Sequence, residues 1–245
     1  MIHDALRWES YIRTRFMPQI DTFVACIEKR VIPAFGNINE EAEKIEQEEF
    51  ERLNAIGDEY GDLGDCAERA TDKGITYYLD MTAAFQGLLN LFAAGLYHMF
   101  EQQILLFHRK ALLLKDQEND LKSINLNKVK EILANSSIDI TSFSSYPKID
   151  ELRLVANTVK HADGDSAKKL KGHCPDLFEP LLGSAFMSMF PSISATKRQV
   201  FQPLAGEDLY IKTENFKAYT KAVRIFWLEL ADALKKMVDA SKLAL

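Results

Sequence analysis

A run of twenty residues without a charged side chain, Met81–Phe100, restricts the fold of this chain more than any other feature of its sequence. The run has the length of a helix that crosses a membrane. Polar side chains interrupt it at Gln86, Asn90 and His98, however, and apolar residues continue at helical spacing beyond its end. A helix buried on most sides explains this pattern better than a membrane span does. We therefore expect helix 76–114 to be the most buried element of a protein with no membrane association, and attachment to a membrane through this run is the alternative.

Apolar residues recur at three- and four-residue intervals along most of the chain, which is typical of helices. The pattern predicts further helices at 4–32, 40–56, 125–134, 148–162 and 214–240. Glycine and proline, with 11 and 7 residues, are too scarce for a turn-rich β-sandwich or barrel. The sequence has no strand–helix alternation and no internal repeat. We therefore predict an all-α fold, a single helical domain over 1–245 in which a bundle surrounds the long central helix.

Within this domain we expect a core bundle of residues 76–162 and 208–240. The N-terminal helices, residues 4–56, are expected to pack on the bundle or to form an arm. Residues 174–207 carry four prolines and predict an irregular, packed connection. The apolar residues at Leu209–Ile211 predict a short strand after this connection.

The net charge of −6 conceals an uneven distribution of acidic residues. Residues 36–68 hold twelve acids and two bases, so the rest of the chain has 24 acids, 28 bases and a balance of +4. A basic remainder permits contact with nucleic acid. The acidic run itself is typical of a solvated helix face.

Three cysteines, Cys26, Cys66 and Cys174, lie far apart in the sequence and form no CxxC pair. Their odd number and their spacing favour reduced thiols in a cytoplasmic protein. The N-terminus lacks the basic and then apolar order of a signal peptide. We therefore expect a cytoplasmic localisation.

The segment that says most about function is Arg153–His161, on the predicted helix 148–162. Arg153, Asn157 and His161 are spaced by four residues and therefore stack along one face of a helix. A guanidinium can hold a phosphate as a fork, and an imidazole can move a proton near neutral pH. Lys160 adds positive charge beside them. In the alternative interpretation, Lys160 and His161 only complement the dipole at the C-terminal end of the helix.

Glu101 is the second candidate because it interrupts an otherwise apolar helix. A carboxylate on a buried helix needs a partner, and we expect Arg153 or another basic side chain close to it. His98 and His108 could share its face, but a metal site needs more ligands than we find in the sequence. Motifs of phosphate-binding loops, zinc peptidases and serine hydrolases are absent from the sequence. We expect neither a metal nor another cofactor.

These segments together resemble the HEPN superfamily, small α-helical domains of which many are bacterial ribonucleases in toxin and anti-phage systems. The family carries an arginine, a polar residue, three further residues and a histidine on a late helix, and Asn157–His161 matches the polar residue and the histidine. Ala156 stands at the family's arginine position, and Arg153 lies one turn earlier. The helix around Glu101 resembles an earlier helix of the family that has an internal glutamate. The resemblance covers residues from about 80 to 162.

The resemblance implies a metal-independent endoribonuclease, a toxin or defence effector that cleaves RNA through attack by its 2′-hydroxyl. His161 would act as general base or acid, and Arg153 and Lys160 would stabilise the charge of the phosphorane. Asn157 would orient the phosphate or His161, and Glu101 would belong to the same site. Three lysines of the following basic segment would steer backbone phosphates: Lys168, Lys169 and Lys171.

The resemblance also implies a homodimer in which two His161 motifs face a shared cleft, because cleavage needs both a base and an acid. A regulatory protein partner is a further expectation for a toxin or defence effector. The alternative function is a non-catalytic helical module that binds RNA, a nucleotide or a protein. Ala156 at the family's arginine position favours this alternative.

Overall fold

The computed structural model describes residues 4–56, 62–113, 125–180 and 199–243 of the chain. Within these ranges the protein is helical and contains no β-strand, which confirms the all-α prediction. The described residues form eight α-helices: α1 (Ala5–Tyr11), α2 (Met17–Cys26), α3 (Ile38–Ile56), α4 (Leu63–Phe107), α5 (Leu126–Asn135), α6 (Tyr146–His161), α7 (Asp165–His173) and α8 (Thr213–Leu243).

The first two helices are joined without a break on one side of the bundle. A π-helical turn, Ile12–Phe16, connects α1 to α2. The buried residues of this region recur on one face: Ile12, Phe16, Ile20, Val24 and Ile27. The face packs against α8, where the ring centroids of Phe16 and Trp227 lie 4.7 Å apart. The first part of 4–56 therefore packs on the bundle, which is one of the two predicted arrangements.

The long central helix α4 is present as the uncharged run predicts, but it begins at Leu63 rather than at residue 76. The carboxylate of Asp62 accepts hydrogen bonds from the backbone N–H groups of Gly64 and Asp65, at 2.8 and 3.0 Å, and this caps the first turn. α4 continues to Phe107 and then through a π-helical turn to Leu112. Its 45 α-helical residues span about 68 Å, so the helix extends beyond the bundle.

The N-terminal part of α4 pairs with the acidic helix α3 in a helical arm, defined here as α3 and residues 63–80. In the described part of the chain, α3 packs principally against α4. Glu49 of α3 accepts hydrogen bonds from Arg52 and from Lys73 of α4, at 2.5 and 2.6 Å. The second part of 4–56 therefore forms an arm, and at least one carboxylate of the acidic run is paired inside it rather than solvated.

Burial within the uncharged run is confined to part of the helix surface. Leu89, Ala93 and Leu96 are at most 2% exposed, whereas Leu91 is 48% exposed. The central helix is therefore less completely enclosed than its composition predicts. The stretch Leu63–Leu112 is long and apolar enough to cross a membrane, but this is weak evidence for a span because the core helix of a soluble protein passes the same test.

Residues 200–211 cross the middle of α4 in a segment that we call the strap. Asn90 of α4 donates hydrogen bonds to the carbonyl oxygens of Pro203 and Leu209, at 2.6 and 2.8 Å. Gln86 donates to the carbonyl of Ile211 at 3.0 Å. The predicted strand at Leu209–Ile211 is therefore wrong. The backbone carbonyls of a strand accept hydrogen bonds from a neighbouring strand, whereas those of Leu209 and Ile211 accept them from side-chain amides of α4.

Two glycines let the strap approach α4 backbone to backbone. A Cβ on Gly87 would overlap the carbonyl of Leu204, and a Cβ on Gly206 would overlap the carbonyl of Ala83. Gly206 also has a φ of 80°, in the left-handed region that favours glycine. The predicted irregular segment 174–207 agrees with this where it is described, although its residues 181–198 lie outside the described ranges.

Helix α6 carries the candidate residues and ends at His161. The chain turns there because Ala162 has a φ of 56°, and its backbone N–H donates to the carbonyl of Thr158 at 2.9 Å. Leu152 and Val155 are fully buried where α6 packs against its neighbours. The side of α6 that carries Arg153 instead borders an open space next to α4.

Candidate functional site

A cavity of about 900 Å³ lies between α4, α5, α6 and the strap. Helix α4 lines it with side chains between positions 91 and 101, and α6 with side chains between 150 and 160. The first turns of α5, residues 125–130, and Leu204 of the strap complete the wall. Four separate parts of the sequence therefore build one site.

Helix α6 contributes three polar side chains that were predicted from the sequence, Arg153, Asn157 and Lys160. Their spacings of four and three residues keep them on one face of the helix. Ala156 lies between them and also lines the cavity. Its small side chain stands where the HEPN resemblance expects an arginine, so no second guanidinium enters the cavity at this position.

A neighbour on its own helix holds the side chain of Arg153. The Nε of Arg153 donates to Oδ1 of Asp150 at 2.8 Å, and this hydrogen bond raises the pKa of Arg153 above its ordinary value. The two terminal nitrogens make no hydrogen bond to any residue that the structure describes. The guanidinium is therefore permanently charged, oriented by one bond, and able to bind a ligand through two nitrogens.

Helix α4 supplies Tyr97 to the same cavity. Tyr97 is 6% exposed, and its burial together with the nearby carboxylate of Glu101 raises the pKa of Tyr97 far above its ordinary value. Its hydroxyl therefore stays protonated at physiological pH. A neutral hydroxyl at this place is a hydrogen-bond donor for a ligand in the cavity.

Glu101 lines the cavity next to a histidine rather than bonded to Arg153. Its Oε2 lies 3.6 Å from Nδ1 of His98. Among the described residues, Glu101 and Arg153 form no ion pair with each other: of the two expected alternatives, Arg153 or another basic side chain, the one near Glu101 is His98, and Arg153 pairs with Asp150. Asp150 precedes Arg153 by three residues on one helix, so this pair forms without spanning the cavity. The side chain of Glu101 is 37% exposed, and water therefore also solvates it.

His161 lies outside the cavity lining, exposed at the C-terminal end of α6. A step of four residues rotates a helical position by about 40°, so two steps place His161 about 80° away from Arg153. The structure therefore brings Arg153 and Asn157 together and places His161 on the neighbouring surface. In a single chain, the cavity holds groups that can bind phosphate without the group predicted to move a proton.

The three lysines expected to steer RNA lie on α7 and do not line the cavity. Lys168 and Lys169 are exposed, while the Nζ of Lys171 lies 5.1 Å from the ring centroid of Phe178. They lie on the helix that follows the α6–α7 turn. Within one chain they do not share a site with Arg153.

Sequence reasoning did not find Lys130 and Asp150 as members of the site. Lys130 of α5 lines the cavity, and its Nζ lies 5.3 Å from the ring centroid of Tyr146. No local pattern connects α5 to α6, so the position of Lys130 in the site follows only from the tertiary fold. Asp150 could have been found, because its spacing of three from Arg153 is that of an ion pair along a helix.

The cavity wall carries two lysines and an arginine, Lys130, Lys160 and Arg153, together with His98, against two acidic side chains, Glu101 and Asp150. In the part of the chain that the structure describes, no three His, Cys, Asp or Glu side chains are grouped so that they could hold a metal ion. The chemistry offered by the wall is therefore hydrogen bonding and charge from side chains. An anion with an apolar portion fits this lining best.

No protein-family model matches this sequence, and no curated protein and no solved structure matches it. The resemblance to HEPN domains therefore stays a prediction.

Proposed function

We propose that this protein binds RNA through the cavity between α4 and α6, with Arg153 and Lys160 holding a backbone phosphate. The observation that carries the proposal is that Arg153, Asn157 and Lys160 line one wall of this cavity. A guanidinium matches the geometry of phosphate oxygens as a fork, and an ammonium adds a point charge. The amide of Asn157 can donate a further hydrogen bond to a phosphate or a ribose.

The hydrogen bond from Arg153 to Asp150 orients the guanidinium for an anion, while the carboxylate of Asp150 offsets part of its charge. Because Nε is held by Asp150 at 2.8 Å, the guanidinium is oriented before a ligand arrives. Fewer rotamers of Arg153 are then lost on binding, which lowers the entropic cost. The terminal nitrogens of Arg153 remain available to phosphate oxygens.

The size and the apolar part of the lining support a nucleotide rather than a bare anion. About 900 Å³ is within the usual range of cavities for small molecules. Leu91, Ala94 and Leu204 also line the cavity and can pack against a base. Outside residues 36–68 the chain has a balance of +4, which favours the approach of a polyanion to the rest of the molecule.

A second candidate function, metal-independent cleavage of RNA, is favoured by the position of His161. It is exposed at the end of α6 and directly follows Lys160, which lines the cavity. His161 would accept the proton of the RNA 2′-hydroxyl, whose oxygen attacks the adjacent phosphorus and displaces the 5′-oxygen. The motif has a single histidine, so the acid that protonates this 5′-oxygen would be His161 of a second copy.

Binding and cleavage can be measured on one fluorescently labelled single-stranded RNA with matched variants. Replacing the two cationic side chains in Arg153→Ala/Lys160→Ala should lower the affinity at least about tenfold. It should also reduce the salt dependence of binding by about two units of slope, one for each phosphate contact removed. The control Arg7→Ala/Lys236→Ala removes the same charge at exposed positions outside the cavity and should bind like the wild type. Equal affinities for the two double variants would contradict the proposal.

The same RNA, incubated with a metal chelator, separates the second candidate from binding alone. His161→Ala should retain the wild-type affinity and thermal stability, because His161 is exposed, and should yield no product with a 2′,3′-cyclic phosphate. Wild-type cleavage by His161→Ala would remove the second candidate. Binding by the wild type without any cleavage would leave RNA binding as the whole function.

A further inference from the structure

The strap presents two large apolar side chains to solvent, and one of them, Leu204, lines the cavity. Phe201 is 67% exposed and Leu204 is 54% exposed, and no other large apolar side chain in the described residues is more exposed than Phe201. Apolar side chains that are exposed together frequently mark contact sites, whereas a single exposed one is ordinary. Phe201 is therefore considered together with the exposed apolar side chains near it in the chain and not by itself.

The backbone that carries Phe201 is held in place rather than free to fold back. The carboxylate of Asp208, 6% exposed, accepts hydrogen bonds from the backbone N–H groups of Phe201 and Gln202 at 3.0 and 3.3 Å. Asn90 holds the next residue, Pro203, through its carbonyl at 2.6 Å. Gly206 brings the far end of this turn against α4. The ring of Phe201 is therefore presented on an ordered backbone, which lowers the entropic cost of a contact made by it.

Phe201 is also close to the candidate site along the chain. Leu204 lines the cavity, and three residues of extended chain reach at most about 11 Å. Leu91, which is 48% exposed, lines the cavity with Leu204. We call Phe201, Leu204 and Leu91 the rim: Leu204 and Leu91 line the cavity with Arg153, and Phe201 is held within about 11 Å of Leu204 by the length of the chain between them.

We propose that the rim is a stacking platform for single-stranded RNA, with Phe201 stacked on a base next to the nucleotide whose phosphate lies at Arg153 and Lys160. This inference rests on the RNA-binding function proposed above and specifies its ligand as a strand of two or more nucleotides rather than a free mononucleotide. Every base has a π-face, so a single aromatic ring recognises a strand without selecting its sequence. An RNA strand requires charge complementarity, and the cationic side chains of the cavity supply it. An apolar protein partner would not require these cationic side chains.

Comparison of a mononucleotide with a short strand tests the platform separately from the cavity. Adenosine 5′-monophosphate and an oligoadenylate of about ten nucleotides serve as ligands, because adenine stacks on aromatic rings. We expect the wild type to bind the oligonucleotide more tightly than the mononucleotide. Phe201→Ala should lower the affinity for the oligonucleotide about tenfold and leave the affinity for the mononucleotide unchanged. Phe201→Trp, which keeps an aromatic ring, should retain oligonucleotide binding.

A matched control removes an equally exposed apolar side chain elsewhere. Leu63 is 64% exposed at the start of α4, and Leu63→Ala should bind both ligands like the wild type. Urea unfolding should give Phe201→Ala the stability of the wild type, since its ring is mostly in water. This comparison ensures that a loss of affinity in Phe201→Ala is not a loss of folded protein.

The possible failures of the inference and of the proposed function differ. If the oligonucleotide binds through Arg153 and Lys160 and Phe201→Ala binds it like the wild type, the platform is refuted and the RNA-binding function stands. If the wild type binds neither ligand, the RNA-binding function fails and the platform with it. If light scattering shows that Phe201→Ala converts a dimer into a monomer, the rim is a protein interface, and the stacking role is overturned.

Discussion

At the scale of single residues, Glu49 shows how the acidic arm is stabilised. It is 9% exposed and accepts hydrogen bonds from Arg52 and Lys73 at 2.5 and 2.6 Å. These hydrogen bonds lower the pKa of Glu49 from 4.5 to about 2, and the one from Arg52 has the larger effect. The folded state therefore binds a proton more weakly than the unfolded state. Ionised Glu49 stabilises the fold above about pH 4.5, and this stabilisation is lost as the pH falls towards 2.

We expect Glu49→Gln to lower the melting temperature at neutral pH, because the amide cannot replace the carboxylate between two cations. The difference from the wild type should shrink as the pH falls from 4.5 to about 2, where the wild-type carboxylate becomes protonated. Thermal unfolding followed by circular dichroism at several pH values measures both effects.

The control for this prediction is Glu48→Gln on the same helix. Glu48 is exposed, and its carboxylate lies 3.6 Å from Lys44 in a surface pair, so its loss should change the melting temperature little. A difference between Glu49→Gln and the wild type that is equally large at acid and neutral pH would show that packing, and not the charge of Glu49, stabilises the arm.

At the scale of elements, the strap is the part of the fold on which the proposed rim depends. Its backbone is fixed on α4 by Gln86 and Asn90, whose amides donate to three carbonyls of the strap. These two residues also explain why polar side chains interrupt the uncharged run of α4. They are buried because they satisfy the backbone of a segment more than a hundred residues away in sequence.

Gly206→Ala should separate the strap from α4, because a Cβ there would overlap the carbonyl of Ala83 and the residue has a φ of 80°. We expect the free energy of unfolding to fall by about 1–3 kcal/mol, as is usual for overpacking. Urea unfolding measures this change.

Gly172→Ala is the matched control, because Gly172 lies in α7 and makes no close contact with another backbone. A Cβ at Gly172 meets nothing within 4 Å, and alanine is the better helix former, so α7 should become more stable by up to about 1 kcal/mol. Equal stabilities for Gly206→Ala and the wild type would mean that the strap does not depend on its contact with α4.

At the scale of the whole molecule, charge is separated between two regions. Residues 36–68 carry twelve acids and two bases, a charge of −10, and the remainder carries +4. The cavity, whose wall includes Lys130, Arg153 and Lys160 as well as Glu101 and Asp150, belongs to the positive region. An RNA strand is therefore repelled from the arm and attracted towards the bundle, and this difference is screened by salt.

We expect two chains to associate if the protein cleaves RNA. A two-fold axis would bring together two copies of His161 as base and acid, and would also bring Lys160 and Arg153 of each copy close to each other. Light scattering at micromolar concentration should then give twice the chain mass of 27.9 kDa. Because the facing cations repel one another, inorganic phosphate should strengthen the association.

A strict monomer at that concentration would contradict the dimer and with it the shared ribonuclease site. RNA binding by the cavity of a single chain would be unaffected by this result. The oligomeric state therefore distinguishes the two candidate functions without depending on the choice of RNA.

Most helices could be predicted from the sequence within a few residues. Residues 125–134, 148–162 and 214–240 correspond to Leu126–Asn135, Tyr146–His161 and Thr213–Leu243. The periodicity of apolar residues is a local signal, since each helix buries one face, and this explains the agreement. The start of α4 at Leu63 does not follow from the periodicity of apolar residues, because the first turns of α4 pack against α3 and not against the apolar core.

The candidate site was predictable only where it lies on one helix. The sequence by itself determined the all-α class and the neighbouring positions of Arg153 and Asn157 on one helix face, because both follow from the geometry of a helix. The third residue predicted on that face, His161, does not line the cavity. The tertiary structure decided that Tyr97 and Glu101 face them, and that His161 lies on the surface outside the cavity. Such placements depend on contacts between residues far apart in sequence. The free energies of these contacts cannot be predicted from a local sequence pattern. A rotation of about 80° around one helix is enough to separate a residue that lines the cavity from a residue outside it.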